Sequence, residues 1–253
     1  MQHAFPLFGN PCPRHCSECR LRQSDAFTPV TPHQLAFIDA FRSGVLAVAA
    51  GKAVIREHAP NGKLFTLYAG WAFRYKTLSD GRRQILNFVL PGDLIGLQQE
   101  FGDSAAHGVE AVTDCALCVF AGDRLWELFR TEPRLGYDIT WLSARGESFV
   151  DDNLLTTGQR NATERVAMLL MHLYRRLERL GLAQDGSVPF PLNQQHIADA
   201  LGLSLVHTNK TLRRLAKLGL HEVAHGRLRL PNPHALERLA EYYDQPPRRV
   251  PLL

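Results

Sequence analysis

Residues 192–230 constrain this chain more than any other stretch. Asn193 is suited to cap a helix whose inner face is Ile197, Ala198 and Leu201. Gly202 then supplies a left-handed turn. Ser204 can cap a second helix with Leu205, Thr208, Leu212 and Leu215 turned inward. That leaves Val206, His207, Asn209, Lys210 and Arg213 on or near the outer face. Beyond Gly219, two short runs meet at Gly226 and read as a two-stranded wing. Together these predict a winged helix-turn-helix, whose outer face has the size and chemistry to enter the major groove of double-stranded DNA. Lys210 can donate to guanine O6 and N7, Asn209 can pair with adenine, and Val206 can meet a thymine methyl. Ser204, Thr211, Arg213 and Arg214 are suited to phosphates. A plain helical hairpin would explain the helices, but not the caps, turn glycine, basic face and wing in succession.

Charge follows the same division. Between Arg160 and Leu230 eleven basic residues stand against five acidic ones, a net of +6, while the whole chain carries +4. A basic third on a mildly acidic body suits a polyanionic partner; a solvated helical face would carry the same charge. Upstream, from about residue 45 to 120, residues 54–55, 64–68, 71–75, 85–90 and 116–120 read as strands. Asn61-Gly62, Asp80-Gly81 and Pro91-Gly92-Asp93 punctuate them, which predicts a small barrel or sandwich. Thr31-Pro32 opens a helix ahead of this region.

Helical text resumes at Leu125 and is interrupted at Pro133. A long helix then runs from Arg134 to about Thr157, its narrow apolar stripe suiting either a coiled-coil seam or packing on its own domain. Another covers about residues 162–180 and stops at Gly181. The fold class is α+β, divided into an N-terminal cysteine-containing arm (1–28), a β-rich sensor domain (29–132), the long helix (133–160), the winged helix-turn-helix (161–231) and a tail (232–253). Residues 244–249 of that tail read as disordered. No run of about 18 apolar residues predicts a membrane span. The first residues lack a secretory signal, so the expected compartment is the cytoplasm. No P-loop or nucleophile elbow occurs, and no enzyme is expected.

Three segments carry a resemblance. Leu90-Pro91-Gly92-Asp93-Leu94-Ile95-Gly96 is similar to a strand-turn segment of the CRP/FNR superfamily of transcription regulators. Asn161-Ala162-Thr163-Glu164-Arg165 is similar to the entry of its DNA-binding domain, and Leu201-Gly202-Leu203-Ser204 to its helix-turn-helix turn. The likeness covers roughly residues 12–231. It implies a cyclic-nucleotide-binding-like β-roll, a dimerisation helix, a homodimer on a near-palindromic operator, and RNA polymerase as a further partner. The cyclic-AMP branch fits poorly. Its phosphate cassette resembles a glycine-glutamate pair followed downstream by Arg-Ser. Here Gly96 precedes Leu97, and Ala105-Ala106-His107-Gly108 occupies the later stretch, so no cyclic nucleotide is expected.

The FNR branch fits better and implies a [4Fe–4S] cluster on Cys12, Cys16, Cys19 and Cys118, because the spacing from Leu90 to Cys118 is similar without a gap. An odd total of five cysteines argues against a disulfide framework. Cys115 and Cys118 face opposite sides of a regular strand, so Cys115 reads as a small core residue. The arm spacing, Cys12-x3-Cys16-x2-Cys19, is tighter than in FNR. Zinc on Cys12, Cys16, Cys19 and either His15 or Cys118, or unliganded thiols, stay open as alternatives. Val206 and Lys210 stand where FNR carries a glutamate and an arginine, which leaves the half-site open. Val150 stands where FNR carries a repulsive acidic residue, so ready dissociation of the dimer is not implied. The expected function is an oxygen- or redox-responsive DNA-binding regulator. The alternative is a cluster-free regulator of the same fold, governed by abundance or another small ligand.

Overall fold

Thr31 and Gln34 close a reciprocal capping box, and Pro32 at the first turn starts helix α1 (Pro32–Phe41). The computed structural model describes residues 12–99, 104–242 and 248–253. These form two compact units. One comprises the described residues of Met1–Lys76, Phe88–Ser148 and Arg248–Leu253, the other those of Thr77–Asn87 and Phe149–Pro247.

Helix α1 leads into β1 (Arg42–Val48), β2 (Ala53–Ile55), β3 (Lys63–Ala69), β4 (Ala72–Thr77) and β5 (Arg83–Val89). β6 (Leu94–Ile95), β7 (Gly108–Ala111) and β8 (Cys115–Ala121) follow. They make two four-stranded sheets, ordered β1-β8-β3-β6 and β2-β7-β4-β5. Alternate residues turn inward, and Phe65, Leu67, Val89, Val109 and Leu117 fill the core. This is the expected β-roll; β1, β6 and β7 are strands that the sequence reading lacks. The Pro91-Gly92-Asp93 turn is built around Gly92, whose φ of +92° and close approach to Phe27 leave no room for a side chain. A Cβ there would lie 2.3 Å from the Phe27 ring. Helices α2 (Leu125–Thr131) and α3 (Pro133–Gln159) follow, with Pro133 beginning the long helix.

His107 sits inside the roll, 3% exposed. Its Nε2 accepts the Arg74 Nε–H at 3.1 Å, which requires that nitrogen to be unprotonated. Burial, then the charges of Arg74 and Lys76, push it down from 6.5 to about 4. The unfolded chain therefore binds more protons between those values, and stability complete above pH 6.5 is lost as pH falls toward 4. Denaturant unfolding at pH 7 and pH 4.5 should show a loss of up to about 3 kcal/mol from this residue. His107→Gln, which keeps an acceptor for Arg74, should flatten that pH dependence.

In the second unit Asn161 caps α4 (Ala162–Arg179) through a box with Glu164. Strand β9 (Ser187–Pro189), α5 (Gln194–Leu201), α6 (Leu205–Lys217), β10 (Glu222–Ala224), β11 (Arg227–Arg229) and α7 (Pro233–Ala240) follow. Asn193 caps α5, and Gly202 ends it at φ +63°, in the left-handed region as expected. β10 and β11 pair antiparallel and β9 adds a third strand, giving the wing. Its tip uses left-handed His225 and Gly226 (φ 52° and 71°), as a two-residue hairpin turn requires.

The described residues of 232–253, namely 232–242 and 248–253, are not a loose tail. Asn232 caps α7, and Arg175 of α4 pairs with Glu237 of α7. Residues 250–253 belong to the first unit. Of the stretch expected to be disordered, 244–247 lies outside the described residues, and Arg249 pairs with Asp25 at 3.0 Å.

Candidate cysteine centre and recognition helix

The arm enters the first unit through two 3-10 turns, Cys16–Glu18 and Arg20–Gln23. Their folding buries Cys16, Cys19 and Leu21. Two side chains at the junction of α1 and β1 hold the arm in place. Asp39 accepts the Cys16 backbone N–H at 2.8 Å and pairs with His15 Nδ1 at 3.0 Å. That pairing, chiefly with His15, holds the Asp39 carboxyl down at about 2. Arg42 donates to the carbonyls of Pro13 (2.9 Å) and Arg14. Its Nη1 also lies 3.7 Å from Cys12 Sγ.

Cys118 lies on β8 opposite Val45 of β1 and Thr66 of β3. Its Sγ is 3.2 Å from that of Cys12. Cys115 turns the other way, joining the core and donating to the Trp71 carbonyl at 3.2 Å. The strand thus separates the two thiols as alternation requires. Cys12, Cys16, Cys19 and Cys118 share one cavity, with Arg42, Leu252 and Leu253 among its other walls. His15 does not line it.

The electrostatics follow from burial and from Arg42. Burial pushes Cys16 up to about 12 and raises Cys19 as well. Cys12 and Cys118 form a close thiol pair. The hydrogen bond between them raises Cys12, and the same bond, aided by Arg42, lowers Cys118 to about 7 despite its burial.

Four thiols and no Asp or Glu side chain on the cavity wall match the all-cysteine donor set of an iron–sulfur cluster. The cavity itself is only about 10 Å³, room for roughly one water. Among the described residues no three His, Cys, Asp or Glu side chains already surround a position for a single metal ion. The donor set is of the kind that holds a cluster, while the cavity as it stands is too small for one. Asp39 and Arg42 were invisible to sequence reasoning, because their role comes from the packing of an arm without periodic pattern against a helix end.

On α6 the expected outer face is largely in place. Val206 is 80% exposed, and His207, Lys210, Arg213 and Arg214 are exposed with it. The Ser204 hydroxyl caps the helix, accepting the His207 N–H at 3.2 Å. Asn209 is half-buried, and its side-chain oxygen has no hydrogen-bond partner among the described residues. Two assignments change. Thr211, expected at a phosphate, is 5% exposed and packs inward with Thr208 and Leu215. Leu205, expected inward, is 42% exposed. The Leu212 carbonyl hydrogen-bonds His221 Nε2 at 3.0 Å, tying the approach to the wing to the recognition helix.

Residues 45–132 match the cyclic nucleotide-binding domain family, and residues 164–239 the Crp-like helix-turn-helix domain family. The chain is 32% identical over 226 residues to the nitrogen fixation regulation protein FixK of Bradyrhizobium diazoefficiens, covering 89% of this chain and 93% of that one. It is 26% identical to the transcriptional activator protein FnrL of Cereibacter sphaeroides, covering 81% and 83% of the two chains. The solved structure of FixK2 from Bradyrhizobium japonicum superposes with a TM-score of 0.71 at 28% identity, over 78% of this chain and 96% of that one.

Proposed function

Because the chain belongs to the CRP/FNR family of DNA-binding transcription regulators, we propose that it is a cytoplasmic, oxygen- or redox-responsive member that binds a near-palindromic operator as a homodimer. The observation that carries the sensing half is the convergence of Cys12, Cys16, Cys19 and Cys118, from two distant parts of the sequence, on one cavity. These four residues would hold a [4Fe–4S] cluster, which when bound supplies an oxidant-sensitive group. Arg42 steadies charge on the thiols, and Asp39 fixes the backbone at Cys16. Both sit where an outward shift of the arm would pull on α1 and β1. Ala105 is fully buried, and His107 is engaged by Arg74. That arrangement supports a roll that senses through its cysteines and not through a cyclic nucleotide.

The dimer reading is supported by α3, which exposes Val150, Leu154 and Leu155 (42%, 70% and 51%), a surface that a second copy would cover. Two recognition helices about one DNA turn apart then follow. RNA polymerase is the expected partner at the promoter. The test of the sensing half is an anaerobic preparation assayed for iron, inorganic sulfide and a visible charge-transfer band. The closed cavity favours one rival, a cluster-free regulator, which predicts that reconstituted protein holds no iron.

Arg42→Met should weaken iron retention and shift the reduction potential. It removes a charge near the thiols and two bonds to the arm, each charge-assisted bond contributing about 1.5–3 kcal/mol. Iron per chain after gel filtration, together with a redox titration, checks this. Wild-type values for both would remove Arg42 from the site.

A further inference from the structure

We propose that residues 250–253 form a wall of the cysteine centre that decides which molecules reach its thiols, passing small neutral ones and excluding bulky or charged ones. The segment is fastened at several points. Val250 runs parallel to Phe27: its N–H donates to the Ala26 carbonyl, and its carbonyl accepts the Thr28 N–H, both at 2.9 Å. Arg249 pairs with Asp25 at the surface. The Thr66 hydroxyl, buried on β3 opposite Cys118, donates to the main-chain oxygen of Leu253 at 3.1 Å. Leu252 and Leu253 are 5% and 7% exposed. Both line the cavity that holds the four thiols.

Two leucines at this place do what polar side chains would not. They set apolar surface beside the sulfur atoms and make the approach of a charged reagent from that side costly, since an ion entering an apolar wall loses its hydration. A small neutral molecule such as dioxygen meets no such barrier. Admission of a bulky or charged reagent requires the segment to detach, a local opening that leaves the roll folded. The wall rests on the cluster reading for its part in sensing, and on packing alone for its control of thiol access.

Two full-length variants test it, Leu252→Ala/Leu253→Ala and the milder Thr66→Val. In cluster-free, reduced protein, the thiols are followed with dithiobis(nitrobenzoate), bulky and anionic, and with iodoacetamide, small and neutral. The double variant should react about tenfold faster or more with the first reagent, with less than about a twofold change with the second. Thr66→Val should show the same selectivity at smaller amplitude. Equal acceleration with both reagents, or none, overturns the wall. If the double variant fails to fold by circular dichroism, Thr66→Val decides alone by the same criterion. In iron-loaded protein, ferricyanide bleaching should accelerate far more than bleaching by dissolved oxygen. Wild-type protein that holds no iron defeats the cluster reading, and the thiol comparison still decides the wall. Iron-loaded variants that bleach alike with both oxidants defeat the wall and leave the cluster standing.

Discussion

Cys118→Ser is expected to abolish iron loading in anaerobically purified or reconstituted protein, while Cys115→Ser leaves iron content and visible spectrum nearly unchanged. The two residues lie three positions apart on β8, yet one faces the arm thiols and the other the core. A cluster needs four thiolates and the arm supplies three, so only the residue across from Cys12 can complete the set. Cys115 is held apart by its bond to the Trp71 carbonyl, and burial pushes its thiol up to about 12. Replacing it should cost some stability through packing, without reaching the metal. The same pair of variants separates zinc from iron. Zinc held by the arm and His15 would survive Cys118→Ser and give no visible band. Equal loss of iron from both variants would mean that the two faces of β8 have been assigned wrongly.

Lys210→Ala should weaken binding to the preferred operator by about 1–3 kcal/mol and relax selection at one base pair, as loss of a base contact does. Arg214→Ala should weaken all sequences alike and lower the salt slope by about one, as loss of a phosphate contact does. Both side chains are exposed on α6, so neither change disturbs the buried face formed by Thr208, Thr211 and Leu215. Binding curves on operator and scrambled duplexes at several salt concentrations distinguish the two roles. Identical losses on both duplexes for both variants would remove Lys210 from base reading.

The helix-turn-helix was legible because its signals are local. Asn193, Gly202 and Ser204 act on backbone within three residues of themselves, and each does in the structure what its chemistry suggests. Thr211 was misplaced because a threonine reads as polar, whereas its position three residues after Thr208 puts it on the helix face packed inward. The elements that escaped notice depend on distant partners. α7 is eight residues long, and an ion pair from Glu237 to Arg175 of α4 helps to hold it. Residues 250–253 carry no pattern of their own, since their place is set by Phe27 and by Thr66, 187 residues from Leu253. The convergence of the cysteines was legible only as a resemblance. Arg42 and Asp39, which hold the arm, left no mark in the sequence.

Iron content and operator affinity can be followed on the same samples. Anaerobic protein is titrated onto a near-palindromic operator, exposed to air, and titrated again, with iron and sulfide measured on each sample. About four iron and four sulfide per chain are expected before exposure, with operator affinity that changes together with their loss. Affinity identical before and after exposure, in a sample shown to have lost its iron, would contradict this expectation.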